Sequence, residues 1–183
     1  QALQIGDGSK LNVDGVVLIG EHGDYPADEF GRHMYPRKHL FEQIAGVFAA
    51  NGRSVPVFND KHLSWRFKWA KEMVDTSKEL GFPLMAGSSL PVAWRMPPID
   101  MPLGAELEEV MGVGYGGVDS YDFHSLETIQ CMAERRKGGE TGVKWVEATR
   151  GESVWKALLA EGSGVAPRLK LLEACLSRSH SLN

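Results

Sequence analysis

The hydrophobic positions in the first half of the chain alternate between strand-like runs and helix-like spacings. Residues 16–19 form a β-branched and aliphatic run that ends at Gly20, as in a parallel strand buried on both faces. Residues 55–58 and 84–87 are two further short apolar runs. Between the strands, apolar residues recur at helical spacing: Leu40, Phe41, Ile44, Val47 and Phe48, then Trp65, Trp69 and Met73. The pattern predicts the order βαβαβ.

The connections between these strands indicate how they pair. Each connection contains one helix and runs for roughly 30 residues, the length that a right-handed parallel crossover requires. Asn51-Gly52 and Leu80-Gly81 supply the helix ends. We therefore predict a truncated Rossmann-like parallel sheet over residues 1–90.

The second half of the chain has a different composition. Four prolines interrupt regular structure, so residues 91–108 are interpreted as a connection: Pro91, Pro97, Pro98 and Pro102. Beyond it we predict a smaller α/β portion over 109–183. Its expected strands are 109–114 and 142–149, and its expected helices are 123–136, 153–161 and 168–177. The fold class is therefore α/β.

Composition and charge narrow the class of partner. The chain has 183 residues and a formal net charge of −4 with scattered cations, which disfavours nucleic acid. No apolar run approaches the ~20 residues of a membrane span. Two cysteines, Cys131 and Cys175, are too few for a disulfide framework, so we expect a cytoplasmic protein. The basic stretch 32–38 is interpreted as a solvated helix start.

Polar side chains follow the predicted strands at the points where parallel strands gather their loops. The loop residues with acid, base or ligand chemistry are Glu21, His22, Asp24, Asp60, Lys61 and His62. Solvated turns are the alternative reading of both loops. In the second half, His124 and Glu127 share one face of a predicted helix with Cys131, which we interpret as an inert thiol. No dinucleotide fingerprint, P-loop or nucleophile elbow is present.

Residues 13–134 resemble part of the glucose-fructose oxidoreductase and inositol dehydrogenase family in the order and spacing of their elements. Asp60-Lys61-His62 is similar to the family's Glu-Lys-Pro motif, whose lysine is catalytic. Residues 120–127 partly match its Asp-x-Gly-x-His-x-x-Asp stretch. The resemblance implies roles for Lys61 and His124. The family's glycine-rich turn is missing, so NAD(P) is not expected as a cofactor.

Three functions are compatible with these residues. The first is a hydrolase, metal-assisted, acting on a small polar or anionic ester-type substrate. Its expected catalytic residues are Lys61, His124, Asp60 and Glu21, and its divalent zinc, manganese or iron is expected on His22, Asp24, His62 and His124. The alternatives are an NAD(P)-dependent sugar or polyol oxidoreductase and a non-catalytic binding or assembly protein. A three-stranded parallel sheet leaves an apolar face exposed to solvent. We expect self-association to cover this face, so we expect a homo-oligomer.

Overall fold

The computed structural model describes residues 2–5, 10–20, 23–160 and 165–179. The chain divides into two compact units, Gln1–Ser89 and Leu90–Asn183, and each is described by itself.

The first unit contains a three-stranded parallel sheet. Its strands are β3 (Val16–Leu18), β4 (Val57–Asp60) and β5 (Leu84–Gly87), paired in the order β3-β4-β5. Two strands of two residues each precede this sheet and pair with each other antiparallel: β1 (Gln4–Ile5) and β2 (Lys10–Leu11). The predicted parallel βαβαβ order is confirmed. Strand β4 begins at Val57, after Pro56, whose carbonyl accepts from the Val16 N–H at 2.9 Å.

Two helices connect the strands, α1 (Arg37–Asn51) and α2 (Phe67–Glu79). Helix α1 ends at Gly52, which adopts a left-handed φ of 60° and donates its N–H to Ala49. Helix α2 ends before Gly81, whose φ is 70°. Glycine adopts these angles without a Cβ penalty, and this is why both helices end where the sequence predicts.

The core of the first unit lies between the helices and one face of the sheet. Its most buried apolar side chains are Phe41, Phe48, Val57, Met73 and Phe82. The rings of Phe48 and Phe82 meet edge to face at 5.2 Å between centroids. Burying a side chain of this size stabilises the fold by roughly 1.5–3 kcal/mol. The hydrophobic spacing of α1 is therefore explained by this core.

The opposite face of the sheet is open. Val17, Phe58 and Met85 lie in one register row across the three strands. Val17 is 66% exposed and Met85 is 59% exposed. The prediction that residues 16–19 are buried on both faces is therefore wrong, whereas the expected apolar exposed face is confirmed. Both helices cover the same face of the sheet, so only the strand side chains on that face are buried.

The second unit contains helices and irregular segments. Its helices are α3 (Val118–Ala133), α4 (Glu152–Leu159) and α5 (Val165–Leu176), preceded by a 3₁₀ helix at Leu90–Val92. The described part of this unit has no strand, so the predicted strands 109–114 and 142–149 are wrong. None of the helices in the described ranges combines the length and apolar composition needed to cross a bilayer.

The surroundings of the two segments explain why neither forms a strand. A β-carbon at Gly112 would lie 2.7 Å from Ile129, and one at Gly114 would overlap Ser125, so this segment packs its glycines against α3 rather than pairing with a strand. In 142–149, Trp145 is 70% exposed and Val146 is 82% exposed. Apolar residues alone do not make a strand when no neighbouring strand accepts their backbone hydrogen bonds.

Candidate functional site

The loop that follows β4 is bonded to the end of β5 at the carboxyl edge of the sheet. The N–H of Lys61, the first residue after β4, donates at 3.0 Å to the carbonyl of Gly87, the last residue of β5. Ser88, the next residue after β5, is buried. Ligands of open parallel sheets bind at this edge because loops and helix amino termini converge there.

Lys61 has a strained backbone at this edge. Its φ is 62°, and it is the non-glycine residue with a positive φ in the described part of the chain. Its ammonium lies 2.5 Å from Asp60 Oδ2, with the lysine side chain 36% exposed and the aspartate 16% exposed. A lysine in the left-handed region costs roughly 1–2 kcal/mol relative to ordinary backbone. Strain of this kind clusters at binding and catalytic positions.

Arg37, the first residue of α1, lies beside this loop and is almost fully buried, with 2% of its surface exposed. Its Nη1 lies 2.8 Å from Nε2 of His62, and its guanidinium carbon lies 4.6 Å from the centre of the Tyr35 ring. A guanidinium only donates hydrogen bonds. Nε2 of His62 is therefore the acceptor, which leaves the proton of the neutral imidazole on Nδ1.

Two buried polar atoms at this edge have no hydrogen-bond partner among the described residues, Arg37 Nε and Asn59 Oδ1. Asn59 uses its amide nitrogen instead, donating to the carbonyls of Asp60 at 3.2 Å and His62 at 3.5 Å. An unpartnered buried polar group costs about 1–3 kcal/mol, and more when it is charged. A ligand that accepts from Arg37 would recover this free energy.

Burial lowers the pKa of the Arg37 guanidinium from its ordinary value, while neighbouring Tyr35 and Asp60 act in the opposite direction. Arginine nevertheless stays protonated at neutral pH. The interior of this edge therefore carries a positive charge with little solvent around it, where electrostatic interactions are strong.

The helices add to the positive potential at this edge. Neither α1 nor α2 has a side-chain cap at its amino terminus, and neither has an acidic residue in its first turn. The first turns carry Arg37 and Lys38 in α1 and Lys68 in α2. Cations are unfavourable at a helix amino terminus and anions are favourable there. This arrangement favours a bound anion.

A row of alternating rings and cations lies beside the edge, built from Phe30, Arg32, Trp65, Arg66 and Trp69; we name it the aromatic wall. The Arg32 guanidinium lies 5.0 Å from the Phe30 ring and 5.6 Å from the Trp65 ring. Arg66 lies 4.5 Å from Trp65 and 5.0 Å from Trp69, and the two indoles are edge to face at 5.0 Å. The wall joins the loop before α1 to the start of α2.

The structure brings together some of the residues predicted from the sequence. Asp60, Lys61 and His62 share the carboxyl edge. Asp24 is exposed, and Glu21 and His22 lie outside the described residues. His124 lies on α3 in the second unit, with its ring 5.6 Å from Phe123 and 6.4 Å from Tyr121. A joint site of His124 and Lys61 therefore stays a prediction.

The described donors do not assemble a metal site. Within residues 2–5, 10–20, 23–160 and 165–179, no three His, Cys, Asp or Glu side chains lie close enough to hold an ion. Nε2 of His62 already accepts a hydrogen bond from Arg37, so it offers no lone pair to a metal in this arrangement. The metal site on His22, Asp24, His62 and His124 stays a prediction, which elemental analysis with and without a chelator tests.

Arg37 is the residue that sequence reasoning missed. The interpretation of residues 32–38 as solvated is wrong for Arg37, because its side chain is buried against Gly20 and bonded to His62. The sequence did contain one signal of an unusual helix start. The first turn of α1 is basic and has no acidic residue, which is unfavourable for the helix dipole.

Known proteins do not indicate what this geometry does. No protein-family model matches the chain, and no curated protein or solved structure is significantly similar to it. The residues themselves therefore carry the functional argument.

Proposed function

We propose that the chain is a hydrolase that binds a small anionic ester at the carboxyl edge of a three-stranded Rossmann-like sheet. The observation that carries this proposal is the buried Arg37 guanidinium, whose Nε has no acceptor among the described residues. Lys61 and the uncapped start of α1 lie at the same edge. A phosphate group suits such a site because it has several acceptor oxygens and a negative charge.

The remaining side chains supply proton-transfer chemistry. Asp60 accepts the proton of the attacking water, whose oxygen bonds to the phosphorus as the bond to the ester oxygen breaks. Lys61 lies beside Asp60 and stabilises the anionic oxygens of the transition state. The proton taken by Asp60 ends on the released alcohol, so the products are an alcohol and phosphate.

His62 positions Arg37 in this scheme. Its Nε2 accepts a hydrogen bond from the Arg37 guanidinium, which holds that group at the carboxyl edge. The catalytic roles of Glu21 and His124 stay predictions. A loss of roughly tenfold or more in rate for His124→Ala, the low end for a proton-transfer group, tests the second of these.

Hydrolysis of 4-nitrophenyl phosphate, with 4-nitrophenyl acetate as a neutral ester, tests the proposal. We expect turnover of the phosphate ester and a fall of roughly tenfold or more in Asp60→Asn, with the circular dichroism spectrum unchanged. Asp75→Asn is the matched control, because Asp75 pairs with Lys71 at the same 2.5 Å distance on the exposed side of α2. No turnover by the wild type, or equal losses in both variants, contradicts the proposal.

A further inference from the structure

The aromatic wall lies within reach of the proposed anion site. Trp65 follows His62 by three residues, so their Cα atoms are at most about 11 Å apart. The first two residues of α1 contact both regions: Arg37 bonds to His62, and the Lys38 ammonium lies 5.9 Å from the Trp69 ring. The wall is therefore next to the loop and the helix start that hold Arg37.

The charges along the wall are unequal. Arg32 is neutralised by Asp28 at 2.5 Å, and Lys38 is paired with Glu42 and with Glu72 at 3.3 Å. Arg66 has no carboxylate partner in the described part of the chain, and its side chain is exposed over Trp65 and Trp69. No described carboxylate therefore neutralises its positive charge, which favours a negatively charged group beside the two indoles.

The wall also presents accessible ring surface. The Phe30 side chain is 73% exposed, although contact with water does not stabilise an apolar ring. Rings and guanidinium planes both stack on aromatic ligands, and alternating them makes a surface that accepts a flat π-system from several sides. Aliphatic esters have no group that uses such a surface.

We propose that the substrate is an aryl phosphate, with an aromatic or heteroaromatic ring attached to the ester that stacks on the aromatic wall while the phosphate lies at Arg37. This inference rests on the proposed function, because it names the substrate class of that site. Trp65 and Phe30 are specificity residues in this account, and Arg37 holds the group common to all substrates.

Calorimetric titration with phenyl phosphate and methyl phosphate tests the inference, because the two ligands share the anion and differ in the ring. We expect phenyl phosphate to bind roughly five- to a hundredfold more tightly, the range for one stacked ring. Trp65→Leu should reduce phenyl phosphate affinity to that of methyl phosphate and leave methyl phosphate affinity unchanged. Phe30→Leu, at an exposed position, should act in the same direction without risk to the core. Trp94→Leu in the second unit, where the indole is fully exposed, is the control.

The outcomes separate this inference from the proposed function. Equal affinity for the two esters overturns the aryl assignment and leaves the anion site standing. Unaltered phenyl phosphate affinity in both Trp65→Leu and Phe30→Leu also overturns it, because a wall that only clamps the loop to α2 changes stability and not selectivity. Failure to bind either ester contradicts the proposed function itself. Tighter, salt-sensitive binding of a single-stranded oligonucleotide than of phenyl phosphate overturns the small-ligand assignment.

Discussion

Gly20 makes room for the side chain of Arg37. A β-carbon at Gly20 would lie 3.0 Å from Cγ and 3.6 Å from Nε of Arg37. Both residues are buried, and the guanidinium is held by His62. The absence of a side chain at Gly20, two residues after β3, is therefore what allows a charged group to lie at the carboxyl edge of the sheet.

Gly20→Ala should displace Arg37 and lower the free energy of unfolding by about 1–3 kcal/mol, the usual cost of an added methyl in a packed site. Phosphate ester affinity should fall with it. The control is Gly46→Ala inside α1, where an added β-carbon meets no atom within 4 Å. Gly46→Ala should raise stability by about 0.5–1 kcal/mol. Urea unfolding of both variants measures these changes, and equal stability of the two contradicts the packing argument.

Substitutions of Lys61 separate backbone strain from the chemistry of its ammonium. Lys61→Gly removes the left-handed strain, so its free energy of unfolding should exceed that of Lys61→Ala by about 1 kcal/mol. Both variants lose the ammonium, and both should lose roughly tenfold or more of the hydrolysis rate. Thermal unfolding and rate measurements on the same preparations test this. A Lys61→Gly variant that keeps its rate would show that the side chain takes no part in the reaction.

The acid stability of the first unit should depend on Asp28. Hydrogen bonding to Arg32 lowers the pKa of this carboxyl, and the Phe30 and Arg32 backbone N–H groups act in the same direction. The folded pKa lies below the unfolded one, so this stabilisation is present above the ordinary range of aspartate and is lost as pH falls through the folded pKa. Melting temperatures between pH 3 and pH 6 should therefore fall less steeply in Asp28→Asn. An unchanged acid slope would contradict this.

The open sheet face should mediate pairing of two copies of the chain. Parallel sheets are normally covered on both faces, and the Val17, Phe58 and Met85 row carries no charge, so two such faces match each other across a twofold axis. Sedimentation velocity should show a dimer that Met85→Glu dissociates. Met96→Glu, at an 84% exposed position of the second unit, is the control. A monomeric wild type at all concentrations tested would contradict the prediction.

The parts of the fold that were predictable depend on local periodicity. The spacing of apolar residues predicts helix α1 and strand β5, and a glycine marks the end of each. Both signals lie within the element itself, so they can be recognised in the sequence. The burial of Arg37 depends instead on Gly20 and on His62, 25 residues away in the chain, so a basic stretch in isolation reads as solvated. The absent strand at 109–114 has the same origin, since its glycines face α3, a contact that no local pattern encodes.

The Arg37 Nε–H group itself reports on the central claim. In ¹H–¹⁵N spectra of the labelled protein its signal is assigned by its disappearance in Arg37→Met, a substitution that should preserve folding because it replaces a buried charge with an apolar side chain of similar length. Titration with methyl phosphate should shift this signal downfield until the shift saturates, because the Nε–H gains an acceptor. Arg37→Met should bind the ester at least roughly tenfold more weakly, which is the loss expected with one charged hydrogen bond. An Arg37 Nε–H signal that stays in place at saturating ester, or an Arg37→Met variant with wild-type affinity, would contradict the account.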